Sequence, residues 1–326
     1  MMSVMVEAGV DAGAVWHLGD PNKEQRLMER AADGDGTVVV DLSHRDVVQV
    51  SGPDRLSWLH DLTSQELRAL PAGVGTTALL LSARGHIEHA MQLVDDGENT
   101  WIHTEPGAGE ALAGFLDSMR FMLRVEVTQR TPDLAVIWSI GTPPASLPEH
   151  LITRSAADSL GGREAFVPRD HVADFLGHFD HQAGVWAYEA RRIAAGVPRL
   201  GCETDHRTIP NELGLWGTHL EKGCYRGQET VARVHNLGRP PRRLVLLHLD
   251  GSVDELPAHG TEVFHEGKKI GFVGSAARHY ELGPVALGVV RRGVPADAEL
   301  LVDAELSAAQ EPLVDPEVGL HIKPKL

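Results

Sequence analysis

Residues 222–229 read KGCYRGQE, and this stretch is the most informative in the chain. Two glycines within eight residues predict a tight loop with an exposed backbone, because glycine adopts conformations that other residues avoid. Gly227 is placed to begin a helix, since Val231 and Val234 behind it define one apolar face. The stretch therefore predicts a loop that leads directly into a helix N-terminus.

The candidate reactive group of this loop is Cys224. A helix N-terminus and a neighbouring lysine both stabilise a thiolate, and Lys222 lies two residues before the cysteine. The alternative is a cysteine buried in a glycine-rich turn, which is the commoner setting for an isolated cysteine. The polar residues around it favour the first interpretation. The candidate catalytic residues are therefore Lys222, Cys224, Gln228 and Glu229.

The chain after this loop has an almost wholly β pattern. Short apolar runs are separated by Gly, Pro and Asp, at Leu244–Leu249, Glu262–Phe264, Ile270–Val273, Val285–Val290 and Leu300–Val302. Short strands at such spacing predict a small barrel or a sandwich.

The chain before the loop mixes strands and helices. Strand patterns at residues 37–40 and 77–81 alternate irregularly with helix patterns such as 108–122 and 185–195, the last of which stops at Gly196. This order favours an α+β fold with antiparallel sheet. The segment 141–148, rich in proline, is the clearest linker.

The composition limits the classes of function. There are 46 acidic residues against 30 Lys and Arg, and the net charge of −16 disfavours broad nucleic-acid binding, although a local basic pocket could hold a small anion. No apolar run is long enough for a membrane span, and the N-terminus lacks a secretory signal pattern. Two cysteines make neither a disulfide framework nor a four-ligand metal site, so we expect a cytoplasmic location and no metal centre.

The stretch 222–229 resembles the K-G-C-Y-x-G-Q-E signature of the YgfZ-type folate-binding proteins. These are relatives of the glycine-cleavage T-protein, an aminomethyltransferase, and are associated with iron–sulfur cluster maintenance. Further elements at 48–54 (VQVSGPD), 192–198 (RIAAGVP) and 209–212 (IPNE) are similar to family elements and occur in the same order.

The resemblance implies an α+β protein in which two α/β lobes and a C-terminal β-barrel surround a central folate cavity. On this basis we expect four segments. They are a flexible N-terminal arm (1–36), an α/β lobe (37–140), a second α/β lobe that carries the signature (149–241) and the barrel (242–326).

The resemblance also implies tetrahydrofolate as the cofactor. Glu212 is expected to accept two neighbouring donors of the pterin edge, and Tyr188 is expected to supply an aromatic platform. The anionic glutamate tail calls for cations, for which Arg192, Arg233, Arg242 and Arg243 are available, although Arg242 and Arg243 could equally be solvated surface residues. Tyr225 of the signature is a further expected folate contact.

Two departures from the family pattern affect the expected chemistry. Arg45 stands where a second aromatic residue is expected beside the pterin. The T-protein carries a catalytic aspartate on the strand after a glycine turn, whereas this chain has His89 and Ala90 there. Glu88 is one position away, so on a strand it points to the opposite face.

The resulting prediction is a tetrahydrofolate-binding accessory protein in iron–sulfur cluster assembly or repair, with Cys224 as the reactive group. Its expected partners are iron–sulfur proteins or their assembly machinery, with no direct contact to nucleic acid or membrane. Two alternatives remain open, a folate-dependent aminomethyl or methyl transferase and a non-catalytic folate-binding module.

Overall fold

A computed structural model describes residues 3–144, 146–252 and 254–319. Its helices are α1 (Pro21–Ala32), α2 (Arg55–Leu62), α3 (Gly109–Ser118), α4 (Val172–Leu176), α5 (Val185–Ala194) and α6 (Gln228–Leu237), with 3₁₀ turns at Arg169–His171 and Pro210–Leu213. Its strands are β1 (Val4–Met5), β2 (Val15–His17), β3 (Thr37–Asp41), β4 (Asp46–Ser51), β5 (Gly75–Leu81), β6 (Ile87–Asp95), β7 (Asn99–Thr104), β8 (Glu126–Gln129), β9 (Leu134–Gly141), β10 (Ile152–Arg154), β11 (Arg163–Pro168), β12 (His181–Ala183), β13 (Arg242–Leu249), β14 (Glu262–His265), β15 (Lys268–His279), β16 (Gly283–Arg291), β17 (Leu300–Val302) and β18 (Leu306–Pro312).

The chain divides into two compact units. As far as they are described, unit 1 takes in residues 1–79 and 89–188, and unit 2 takes in residues 80–88 and 189–326. Among the described residues, no helix is long and apolar enough to cross a membrane.

One sheet of unit 1 has the strand order β10-β11-β9-β3-β12, with β12 parallel to β3 and the other pairs antiparallel. Strand β9 is buried along almost its whole length, as is typical of a strand covered on both faces. The expected linker at 141–148 joins β9 to β10 within this sheet, because β11 pairs with both strands. The structure therefore places no lobe boundary at this segment, which corrects the division expected between 140 and 149.

The N-terminal 36 residues contain a helix, so the expectation of a flexible arm there is wrong. Asp20 caps α1 by accepting a hydrogen bond from the main-chain N–H of Lys23 at 3.0 Å, and Pro21 occupies the first turn. Met28 and Ala31 are buried. This apolar face is narrow, so the helix shows no sustained hydrophobic period in the sequence.

A second sheet has the order β5-β6-β7-β4-β8, and β4 pairs antiparallel with both β7 and β8. Within unit 1, Arg55 of α2 forms an ion pair with Asp95 of β6, with 2.7 Å between Nη2 and Oδ1. Both groups are buried, so this pair ties α2 to the sheet. The tip of the β5–β6 hairpin, residues 80–88, belongs to unit 2.

Unit 2 contains a closed barrel with the strand order β13-β16-β15-β14-β17-β18, which closes where β18 pairs with β13. This confirms the C-terminal barrel. Val245 and Leu247 of β13 point into its core. Arg243 lies on the same face and is fully buried, and its guanidinium donates to the main-chain oxygens of Arg292 and Val294.

Candidate functional site

The loop at 222–229 leads into the N-terminus of α6, as the sequence predicted. Gly227 caps the helix with a φ of +83°, in the left-handed region that glycine enters without strain. A Cβ atom on this residue would lie 2.6 Å from the main-chain oxygen of Ser82 and 2.8 Å from the Cα of Gly85. A Cβ atom on Gly223 would have nothing within 4 Å. Gly227 is therefore the glycine that the loop requires.

The two cysteines differ in accessibility. Cys224 is exposed on the loop, whereas Cys202 is buried with 7% of its surface exposed. The thiol of Cys224 can therefore meet a reagent or a partner in the folded protein. Glu229 is also exposed, on the first turn of α6.

Lys222 and Tyr225 form the buried side of the loop. The Nζ atom of Lys222 lies 5.0 Å from the centroid of the Tyr225 ring, which is cation–π geometry. The Nε2 atom of Gln228 donates to the main-chain oxygen of Lys222 at 3.4 Å. Both Lys222 and Tyr225 are less than a tenth exposed, so these contacts hold the loop that carries Cys224.

Burial raises the pKa of the Tyr225 hydroxyl from 10.0 to about 12. This raised folded-state pKa means that the contribution of Tyr225 to stability is complete below pH 10 and is lost as the pH rises towards 12. Ultraviolet absorbance of tyrosinate should therefore include a late ionisation step from Tyr225. Tyr225→Phe should remove the late step and Tyr280→Phe should leave it. Late absorbance of unchanged amplitude in Tyr225→Phe would contradict the prediction.

Glu212 lies in the 3₁₀ turn Pro210–Leu213 and is 1% exposed. Its two carboxylate oxygens accept hydrogen bonds from Nε and Nη2 of Arg242 at 2.8 and 2.9 Å, and Oε2 also accepts one from the N–H of Ile209 at 3.2 Å. A carboxylate has about four acceptor positions, so one remains. Glu212 can therefore accept one pterin donor, but not the expected pair while Arg242 is in place.

Arg242 joins Glu212 to a second carboxylate, Asp205. Its Nη1 atom donates to Oδ2 of Asp205 at 2.7 Å. Burial raises the pKa of Asp205, but the hydrogen bonds from Arg242, Arg207 and Thr208 lower it by more, so the pKa lies well below its usual range. This ion-pair cluster was not predicted from the sequence, which made Arg242 a candidate cation for the glutamate tail; the structure uses its donors inside the protein instead.

Arg192 is 1% exposed and is held by groups of unit 2. Its guanidinium donates to both carboxylate oxygens of Glu189, to the main-chain oxygen of Val197 and to Oε2 of Glu203 at 3.3 Å. Burial lowers the pKa of Arg192, but these carboxylates raise it by more. Because its donors are used inside the protein, the structure gives Arg192 a structural role in place of the expected contact with a glutamate tail.

Tyr188 belongs to unit 1 and is 4% exposed. Its ring stands edge-on to that of Trp138, with the centroids 5.3 Å apart. The guanidinium carbon of Arg45 lies 5.6 Å from the centroid of the Tyr188 ring, in a cation–π contact. Arg45, which stands where a second aromatic residue was expected, therefore packs on the ring of Tyr188. Arg233, the other expected cation, is exposed on α6 in unit 2.

The positions where the T-protein carries its aspartates hold no acid here. The ring of His89 lies 6.1 Å from that of Phe115, and Ala90 is buried. Glu88 is exposed and forms an ion pair with Arg226 of the loop, both in unit 2, with 3.0 Å between Oε2 and Nη1. Neither observation favours a catalytic acid on β6.

Sequence reasoning also missed several buried polar groups. His103 is fully buried, and neither ring nitrogen has a hydrogen-bond partner in the described structure. Burial, with the charges of Arg45 and Arg154, lowers its pKa well below the ordinary value. No sequence signal marks this histidine, because its burial depends on strands distant in the chain. Within residues 3–144, 146–252 and 254–319, no group of three or more His, Cys, Asp or Glu side chains is placed to hold a metal ion.

The barrel is similar to a domain of known proteins. Residues 242–314 match the family model of the glycine cleavage T-protein C-terminal barrel domain. This range contains all the barrel strands from β13 to β18.

Two curated relatives extend the similarity over more of the chain. The mitochondrial iron–sulfur cluster assembly factor IBA57 homologue of Mycosarcoma maydis is 27% identical over 224 residues, which are 63% of this chain and 55% of that protein. The tRNA-modifying protein YgfZ of Serratia proteamaculans is 26% identical over 301 residues, 82% of this chain and 89% of that protein. For three of the curated relatives that it matches, the chain spans 55, 59 and 61% of their length.

A solved structure extends the likeness to the whole fold. The glycine cleavage system aminomethyltransferase T from Bartonella henselae has a TM-score of 0.76 at 19% identity, covering 94% of this chain and 92% of that chain. The fold is therefore that of the T-protein, with α/β lobes and a C-terminal closed barrel. Taken together, these comparisons show a chain that has the T-protein fold and is similar in sequence to the IBA57 and YgfZ proteins.

Proposed function

We propose that this chain binds a reduced folate and supports the assembly or repair of iron–sulfur clusters, with Cys224 as its reactive group. The observation that carries the proposal is the exposed thiol on the loop before α6, in a chain whose relatives include an iron–sulfur cluster assembly factor. The proposed partners are iron–sulfur proteins or their assembly machinery. The proposed location is the cytoplasm, although the fungal relative is named as mitochondrial.

Tetrahydrofolate fits the described residues in part. Glu212 keeps one acceptor position for a pterin donor, and Arg233 is an exposed cation that could meet the anionic tail. Tyr188 and Tyr225 stay expected contacts to the aromatic rings, whereas Arg192 is used internally. When bound, tetrahydrofolate supplies one-carbon chemistry at its reduced pterin ring.

The loop of Cys224 has the features of a transient ligand for iron. The thiolate is the form of cysteine that binds iron, and the N-terminus of α6 favours negative charge beside it. The exposure of Cys224 lets a cluster-bearing partner approach. Lys222 and Tyr225, buried beneath the loop, hold it in place.

The test is Cys224→Ser in cells that lack the native gene, with the activities of several iron–sulfur enzymes as the readout. We expect the variant to fold and to bind tetrahydrofolate like the native protein in calorimetry, because serine keeps the size of the side chain. We expect it to lose support of the enzymes, because a hydroxyl does not ionise to a comparable ligand. Cys202→Ala is the control for loss of a thiol elsewhere and should retain support.

Three outcomes would count against this proposal. Iodoacetamide should modify Cys224 in the native protein and Cys202 only after unfolding, so an unreactive Cys224 would contradict its exposure. If the Cys224→Ser variant fully supports the iron–sulfur enzymes, Cys224 is not the reactive group, and the chain is better described as a folate-binding module. A calorimeter trace without heat on addition of tetrahydrofolate would remove folate from the proposal.

Aminomethyl or methyl transfer is not proposed for this chain. Positions 89 and 90 carry His and Ala, and Glu88 is engaged by Arg226. A transferase of the T-protein type would need an acid at these positions.

A further inference from the structure

Unit 2 contains a basic cavity of about 390 Å³ whose lining includes no residue of the loop at 222–229. Its lining contains one carboxylate, that of Asp205, and four cationic side chains, those of Arg207, Arg242, Lys269 and Arg291. In a chain with a net charge of −16, this cavity reverses the sign of the charge locally.

The strand register brings two of these cations together. Arg242 of β13 lies directly opposite Arg291 of β16, and like charges directly opposite destabilise a sheet. Arg242 is neutralised by Asp205 and Glu212. Arg291 is exposed, and among the residues that the structure describes no carboxylate pairs with it. An anion from outside the chain is therefore free to neutralise Arg291.

The other two cations are also accessible. Arg207 is exposed, and its main-chain N–H donates to Oδ1 of Asp205 at 3.0 Å. Its guanidinium has no carboxylate partner in the part of the chain that the structure describes. Lys269 is exposed and pairs with Glu262 at the surface, and a surface pair of this kind holds its partners weakly. Arg207, Arg291 and Lys269 can thus all turn to one bound anion.

Apolar and aromatic side chains also line the cavity. Ile270 and Phe272 of β15 both line the cavity, and Ile270, 6% exposed, also packs in the barrel core. The ring of Phe272 lies 6.4 Å from the ring of His259, in an edge-on arrangement. A flat ligand can pack against this wall. The volume lies in the range of small-molecule sites.

We propose that this cavity binds a small organic phosphate that carries a planar ring, a ligand class of nucleoside monophosphate size. The forked donors of two arginines match the oxygens of a phosphate group, and a single carboxylate would leave most of these donors unused. The phosphate lies between Arg207, Arg291 and Lys269, and the ring packs on Phe272. This site is additional to the folate proposed above.

Calorimetry with AMP and with ribose 5-phosphate tests the proposal on the whole chain of 326 residues in a phosphate-free buffer. AMP should bind more tightly than ribose 5-phosphate, because only AMP has a ring for Phe272. The double variant Arg207→Gln, Arg291→Gln should bind AMP at least tenfold more weakly. These residues are exposed, so we expect the variant to fold. The control is Arg239→Gln, an exposed arginine of the same unit outside the cavity, which should bind AMP like the native protein.

The possible results separate clearly. No binding of AMP, or equal binding by the native protein and the double variant, would overturn the proposal. Equal affinities for AMP and ribose 5-phosphate would overturn the role given to Phe272 and with it the ligand class. Displacement of AMP by tetrahydrofolate would show that folate occupies this cavity, which would also contradict an additional site.

Discussion

Replacing Arg192 by Gln is expected to lower the free energy of unfolding by about 3–5 kcal/mol, as for other buried ion pairs that lose one partner. The substitution leaves Glu203, which is fully buried, and Glu189 without the guanidinium that neutralises both. Arg199 still pairs with Glu189, but one guanidinium cannot replace two. Urea unfolding followed by circular dichroism measures the difference.

Arg233→Gln is the matched control, because Arg233 was predicted for the same ligand role but is exposed on α6. Its unfolding free energy should stay within about 0.5 kcal/mol of the native value. One result would support the ligand role that the sequence predicted for Arg192. In that result, the Arg192→Gln variant has the stability of the native protein but binds tetrahydrofolate more weakly.

Gly227→Ala is expected to destabilise the protein by at least about 2 kcal/mol, since a left-handed backbone alone costs a residue with a side chain about 1–2 kcal/mol. The new methyl group would also overlap the main-chain oxygen of Ser82 and the Cα of Gly85. Either this turn or the start of α6 must move to relieve the overlap. Thermal unfolding reports the loss, and amide hydrogen exchange along 228–237 reports where the structure opens.

Gly223→Ala is the natural control, because it changes the other glycine of the same loop. Nothing lies within 4 Å of its added Cβ, so we expect a change within about 0.5 kcal/mol. Iodoacetamide modification of Cys224 should proceed at the native rate in this variant and at an altered rate in Gly227→Ala. Equal stability of the two variants would show that the turn at 82–85 does not constrain the loop.

Helices and strands that are marked by a short stretch of sequence were predicted correctly. The helix expected at 185–195 is α5, and Gly196 after it has the left-handed φ of +69° that a helix end requires. The β runs after residue 242 form the barrel. The segment 141–148 was misinterpreted because glycine and proline mark a turn without specifying which strands pair across it.

In the candidate site, too, features set by neighbouring residues could be predicted and features set by distant residues could not. The exposure of Cys224 follows from a local loop and could be predicted. The roles of Glu212 and Arg192 could not, because their partners Arg242 and Glu203 are 30 and 11 residues away along the chain. The sequence alone does not distinguish a charged residue in a buried ion pair from one that binds a ligand.

Closure of the barrel has a consequence for the chain during its synthesis. Val245 of the first barrel strand pairs with Pro312 of the last, so β13 lacks one neighbour until β18 has left the ribosome. During that interval one side of β13 offers unpaired N–H and C=O groups, which are a template for pairing with another chain. Nascent chains are therefore exposed to edge-to-edge pairing at β13 and at β17, and a chain that stops before Leu306 keeps both edges open permanently.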